Sequence, residues 1–148
     1  MSIVGFTFHK IVAEKNTSNP AFTKLDVNNN VAITNIDPLD FPLGKAKQAA
    51  LKFSFEYTTK YVPDVGEMFM TGEIVYLGDP KQNDEILKRW KKEKKLAKEV
   101  SRDIINNILM RCNIESLILS RDVNLPPPIP LPRVREEEKK EEGSEYIG

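Results

Sequence analysis

The chain contains one cysteine, one histidine and one tryptophan in 148 residues, and its net charge is zero. With Cys112 alone an internal disulfide is impossible, and the composition suits a reducing compartment. His9 has no Cys and no carboxylate pattern beside it, so neither a metal cluster nor a Ser, His and Asp set can be drawn from it. A Gly-rich phosphate loop is missing too. Lys plus Arg and Asp plus Glu stand at 22 each, which removes any global argument for nucleic acid or an acidic membrane surface as obligatory partner. No apolar run approaches the roughly 18 residues of a membrane helix. No leader with an apolar core precedes the first polar residues, so the expected location is cytoplasmic, without membrane insertion. These absences argue against an enzyme and call for no cofactor.

What is present is a β-rich first half followed by helices. The length suits one domain, which on folding could bury roughly 70% of its extended surface. The domain is expected to span residues 1–132, with a charged, disordered tail over 133–148. The charged fraction of 30% is weighted to Lys and Glu, a bias associated with thermophiles.

The organising stretch runs from Leu51 to Leu77. Leu51, Phe53, Phe55, Tyr57, Thr59 and Tyr61 alternate with Lys52, Ser54, Glu56, Thr58 and Lys60, the period of a strand with one wet face. After the turn signal Val62-Pro63-Asp64-Val65-Gly66, a second strand follows that is apolar on both sides. Met68, Met70, Ile74 and Tyr76 lie on one side, and Phe69, Val75 and Leu77 on the other. Pairing as an antiparallel hairpin is the expectation. A strand of that kind is covered twice: once by the protein's own helices, and again by a second subunit or an apolar ligand.

Elsewhere, Ile3 to Ala13 reads as a strand with Val4, Phe6, Phe8 and Val12 on one face and Thr7, His9 and Ile11 on the other. Asn16 to Pro20 is a turn cluster, Ala21 to Val27 a short edge strand, and Val31 to Ile36 a further strand after the Asn28-Asn29-Asn30 turn signal. Pro38 and Pro42 argue against regular structure over 37–44, where Leu39, Phe41 and Leu43 either fold onto the core or serve a partner. Lys81 to Lys95 is a charged helix pinned by Ile86, Leu87 and Trp90. Lys88, Arg89, Trp90, Lys91, Lys92, Lys94 and Lys95 could instead form a basic, aromatic patch for RNA or a ribosome, within 81–98. From Leu96 to about Ser120 a helix carries Val100, Ile104, Ile108 and Cys112 every four residues. At Asn113 the apolar phase shifts to Ile114, Leu117 and Ile118, which predicts a break and a second short helix. Cys112 reads as a buried small hydrophobe. Asn124 to Pro132, with five prolines, is an extended strap whose Leu125, Ile129 and Leu131 pack on the sheet or helix.

Strands around a central hairpin, a long amphipathic helix and a Leu-Pro-rich extended segment, in that order, resemble the SecB family of bacterial export chaperones, as an archaeal-type or otherwise divergent relative. Phe6-Thr7-Phe8-His9-Lys10-Ile11-Val12, followed by Pro20 and Phe22, is similar to that family's first strand and crossover. Asn124-Leu125-Pro126-Pro127 is similar to its Asn-Leu-Ala-Pro element. The resemblance covers about Ile3 to Leu131. It implies an α+β fold, a four-stranded antiparallel sheet with helices on one face. It also implies a homo-oligomer (dimer or tetramer) and ATP-independent, holdase-type binding of unfolded polypeptides or preproteins in apolar grooves. Phe55, Tyr57, Met68, Met70 and Tyr76 are the candidate client-binding residues, methionine because its flexible thioether repacks against varied side chains. The chain departs from the family in being neutral rather than acidic, in lacking the acidic surface that docks a translocation ATPase, and in the helix at 81–95, which looks inserted. An RNA- or ribosome-associated module and a structural self-assembly subunit are the competing readings.

Overall fold

Alternating apolar residues yield four strands, and the helical periods yield two helices. The strands are β1 (Ser2–Lys15), β2 (Asp26–Leu43), β3 (Ala46–Val62) and β4 (Gly66–Leu77); the helices are α1 (Pro80–Glu93) and α2 (Lys98–Asp122). The computed structural model describes residues 2–16, 25–43 and 46–132, without the side chains of 41–43 and 46–48. The expectations for Pro20 and Phe22, the side chains of Phe41 and Leu43, and the tail 133–148 lie outside the described residues.

All neighbouring strands are antiparallel, in the order β1-β4-β3-β2. The expected hairpin is therefore the centre of the sheet. Leu51 pairs with Tyr76, Phe53 with Ile74, Phe55 with Gly72 and Tyr57 with Met70. The turn holds a cis Val62–Pro63 peptide, and Asp64 has φ 46°. Ile86, Trp90, Val100, Ile104, Ile108 and Cys112 from the helices join Leu51, Phe53, Phe55, Tyr57, Met70, Ile74 and Tyr76 in one core. The helices thus cover a single face. A smaller cluster of Tyr61, Val65, Met68 and Leu125 closes the hairpin end.

Four expectations need correction. In β1, register shifts at Val4 and His9 insert one extra residue each, and each such bulge flips the alternation. Phe6, Phe8 and Ile11 therefore share the helix side with Ile3, opposite Ile74, Gly72, Met70 and Tyr76, whereas Val12 pairs with Phe69 on the other side. β2 is a single strand through Asn28-Asn29-Asn30 and both prolines, with Pro38 opposite Leu51 and Pro42 opposite Lys47. An edge strand tolerates proline, because a missing N–H that faces outward breaks no ladder bond. α2 continues through Asn113 without interruption. Its sheet-facing row carries on after Cys112 as buried Ser116 and Ser120, whose hydroxyls donate to the carbonyls of Asn113 and Leu117 at 2.9 and 2.7 Å. Ile114 and Ile118 are on a different, exposed flank. What looked like a break is a second apolar face.

The fourth correction concerns β4. Its helix side, with Met68, Met70, Ile74 and Tyr76, is buried within this one chain. Its opposite side is mixed rather than greasy. Phe69 and Val75 are half-buried and Leu77 is buried there, but Glu73 sits between Phe69 and Val75 with His9 Nε2 at 3.2 Å and Lys52 Nζ at 3.8 Å. His9, expected to have no carboxylate near it, acquires one across the strands.

A polar network ties the layers together. Tyr57 donates its hydroxyl to Asn113 Oδ1 at 3.1 Å, Thr59 donates to Asn29 Oδ1 at 2.7 Å, and Asn29 Nδ2 donates to the Pro128 carbonyl at 3.1 Å. The strap crosses the end of the sheet, with Leu125 and Pro128 buried and the Tyr61 hydroxyl on the Pro126 carbonyl at 2.7 Å. Of its expected packing residues, Leu125 is in the core, Ile129 is half-buried and Leu131 is exposed.

Candidate functional site

The surface that stands out begins at a glycine. A Cβ built at Gly72 would collide with the Thr7 carbonyl oxygen and stand 2.8 Å from Phe55 Cζ. With no side chain there, the Phe55 ring extends across Gly72 towards β1. Phe6, Phe8 and Phe55 form a ring cluster, with centroids at 5.0, 5.3 and 6.3 Å in edge and tilted arrangements. Phe55 is the floor; Phe6 and Phe8, on the edge strand, are only half-buried.

α2 borders the cluster. The Arg111 guanidinium carbon lies 4.8 Å from the Phe6 ring centroid, a stacking distance at which the cation meets the ring's negative face. Ile114 and Ile118, three and seven residues further, share Arg111's flank by helical spacing. Ile114 is 56% exposed and Ile118 40%, with Met110 beside them at 55%. Ile11 of β1 is 40% exposed on the same side of the sheet. Further along, Leu119 of α2 and Ala13 of β1 both pack against the smaller core cluster. The result is an open aromatic and aliphatic flank between an edge strand and a helix. It can bind apolar side chains along its length, and β1 can lend its backbone to a pairing strand.

The five residues singled out from the sequence are brought together, but in the core. Phe55, Tyr57, Met68 and Met70 are at most 1% exposed and Tyr76 3%. They line the inner face of the two central strands, Phe55, Tyr57, Met70 and Tyr76 in the core shared with the helices and Met68 in the smaller cluster with Leu125. Only Phe55 reaches the flank. The sequence reading missed Phe6, Phe8, Arg111, Ile114 and Ile118. The apolar phase shift after Asn113 was the available signal, and it was read as a break.

The basic patch is changed as well. Lys88, Arg89, Lys91, Lys92, Lys94 and Lys95 are exposed, but Trp90 is buried beneath α1, with Lys94 Nζ 5.3 Å from its ring centroid. No aromatic face remains there for a base to stack on. A charged depression of about 490 Å³ at the hairpin end is bordered by Glu14, Lys60, Asp64 and Glu67. Among the described residues no group of three or more His, Cys, Asp or Glu side chains could hold a metal ion, and no helix is long and apolar enough to cross a membrane.

Cys112 is buried on the sheet-facing row of α2, and burial, then the nearby Glu115, pushes its thiol up to about 12. Burial, then Tyr57, likewise raises Tyr61 to about 12. Cys112 is accordingly expected to resist iodoacetamide at pH 8 until urea unfolds the chain, with labelling at least about 100-fold slower than in the unfolded protein. Both groups hold their protons more tightly folded than unfolded. Their contribution to stability is therefore complete below about pH 9 and declines as pH rises towards 12. Urea midpoints measured across that window should fall with pH, and a flat profile would contradict the burial assigned to these groups.

No family model and no curated protein matches this chain. Among solved structures it is similar to the Mycobacterium tuberculosis SecB-like chaperone Rv1957, determined in complex with a ChAD peptide from the Rv1956 HigA1 antitoxin. The identity is 12% and the TM-score 0.54, over 90% of this chain and 89% of that one. At that identity the likeness is one of fold: the chain has an α+β architecture, a four-stranded antiparallel sheet with two helices, of the kind found in a SecB-like chaperone.

Proposed function

We propose that the protein is an ATP-independent holdase that binds unfolded polypeptides or preproteins on the flank between β1 and α2, working in the cytoplasm as a homo-oligomer. The observation that carries this reading is the juxtaposition of half-open Phe6 and Phe8 with exposed Ile11, Ile114 and Ile118 beside an edge strand. An unfolded client offers scattered apolar and aromatic groups joined by a backbone with unmet hydrogen bonds. An elongated apolar strip next to an edge strand meets both needs without chemistry. Flexible Met110 at the rim suits varied side chains. The peptide held by the similar SecB-like chaperone supports the same class of ligand. Phe55 acts as the floor of this surface, while Tyr57, Met68, Met70 and Tyr76 act from beneath it.

The reading is tested by light scattering. At stoichiometric amounts, without ATP, the protein is expected to suppress aggregation of a chemically unfolded test protein, and its solution mass should exceed that of one chain. Failure to suppress aggregation by a monomeric sample overturns it. RNA binding that weakens with salt and ignores flank substitutions would favour the basic exposed side of α1 instead.

A further inference from the structure

α1 is attached differently from α2. Tyr76 Oη, both amide atoms of Asn83 and Trp90 Nε1 are buried and lack a hydrogen-bond partner, and among the described residues no other buried side-chain polar atom is in that condition. All belong to α1 or to the end of β4 that leads into it. A Cβ at Gly78, in the junction between them, would stand 2.7 Å from Asn83 Oδ1 and 3.2 Å from the Tyr76 ring. Among the described residues the one ion pair of α1 is internal, Arg89 to Glu93 at 3.4 Å. α2, by contrast, is tied by the Tyr57 hydroxyl on Asn113, by Arg111 on Phe6 and by the Leu125 amide on the Ser120 carbonyl at 2.8 Å.

α1 also has a joint at each end. Gly78 and Asp79 precede it, and Lys94, in the left-handed region at φ 55°, leads into the irregular residues 95–97. Shallow clefts of about 180 and 210 Å³ flank its C-terminal turn and share Leu96. Apart from half-buried Gln82 and Leu87, only Asn83, Ile86 and Trp90 are buried by it. Buried polar groups without a protein partner disfavour the closed position relative to one in which each is hydrogen-bonded. Lifting the helix returns those groups to partners, so opening is favoured relative to an ordinary amphipathic helix.

We propose that α1 is a hinged cover over a second client site. When it lifts, the face made by Ile36, Leu51, Phe53 and Tyr76 takes an aromatic or aliphatic stretch of an unfolded polypeptide. Phe53 and Tyr76, already edge to face at 5.8 Å, supply the aromatic floor. The Tyr76 hydroxyl and the Asn83 amide offer donors and an acceptor that match the alternating carbonyl and N–H groups of an extended chain. This assignment rests on the holdase reading and places Tyr76, a residue picked from the sequence, in contact with a client once the cover is open.

Trp90 is the only tryptophan, so its emission reports α1 alone. The probe is reduced, carboxymethylated ribonuclease A, an unfolded polypeptide without tryptophan. Adding it to the full chain should shift Trp90 emission to the red. In the free protein, backbone amides of α1 should exchange with deuterium at least about tenfold faster than those of α2. Asn83→Leu, close in shape but free of polar atoms, should slow α1 exchange roughly tenfold and weaken probe binding several-fold. If the probe binds with no change in Trp90 emission and α1 exchanges in step with α2, the cover is overturned while the holdase reading stands. A variant that exchanges faster at α1 would likewise overturn it, since Asn83 would then be satisfied where it is. A protein that binds no probe overturns the holdase reading and the second site together. Emission and wild-type exchange need no variant, so a misfolded Asn83→Leu leaves the decision to them.

Discussion

Gly72→Ala should lower the stability of the protein by about 3 kcal/mol, at the upper end of what one overpacked methyl group costs. The new Cβ would meet the Thr7 carbonyl oxygen, which is backbone of the adjoining strand, and would stand 2.8 Å from Phe55 Cζ. No rotamer change relieves a contact with backbone. β1 and β4 would have to move apart at the point where Phe8 pairs with Gly72, and the Phe6, Phe8 and Phe55 rings would lose their mutual contacts. Gly5→Ala is the control. Its Cβ would lie 3.4 Å from Val75 Cβ, an ordinary contact, so its cost should stay below about 1 kcal/mol. Urea midpoints of the two variants, compared at equal slope, decide the matter. Equal midpoints would mean that the close approach over Gly72 is not a feature of the folded protein in solution.

Ile114→Gln combined with Ile118→Gln should leave stability within about 0.5 kcal/mol of the parent and reduce client holding by roughly tenfold to a hundredfold. Both side chains are exposed on α2, so removing their apolar surface opens no cavity. Glutamine keeps good helix propensity. An isoleucine half-covered by a client contributes on the order of 1 kcal/mol. Two of them, acting together with Phe6 and Phe8, separate a useful holdase from a weak one. Scattering by the same unfolded test protein, read at matched concentrations of parent and double variant, gives the comparison. Unchanged suppression would move the client surface elsewhere, and the face under α1 would be the next place to look.

The two predictions bracket what could be read in advance. The hairpin at 51–77, the helix near 81–95 and the row Val100, Ile104, Ile108, Cys112 were legible because strong periodicity fixes which residues share a face. The bulges at Val4 and His9 were not, since an inserted residue leaves no mark on composition and only the pairing partner exposes it. The prolines of β2 misled for a related reason. Whether a missing N–H matters depends on whether the strand is an edge, which is a property of the sheet and not of the strand. Ile114 and Ile118 were visible as a phase shift, but a shift within a helix and a break between two helices have the same local pattern.

By itself the sequence determined that the chain would fold as a β-hairpin core under amphipathic helices, and that it has more apolar surface than one strand face requires. Only the tertiary structure decided which of that surface is left open. Tyr57, Met70 and Tyr76 are covered in the core shared with the helices and Met68 in the smaller cluster with Leu125, whereas Phe6, Phe8, Ile11, Ile114 and Ile118 remain partly exposed. Periodicity says that a residue faces one side, whereas exposure depends on what lies opposite, and that is settled by strand order, bulges and the line along which a helix crosses the sheet.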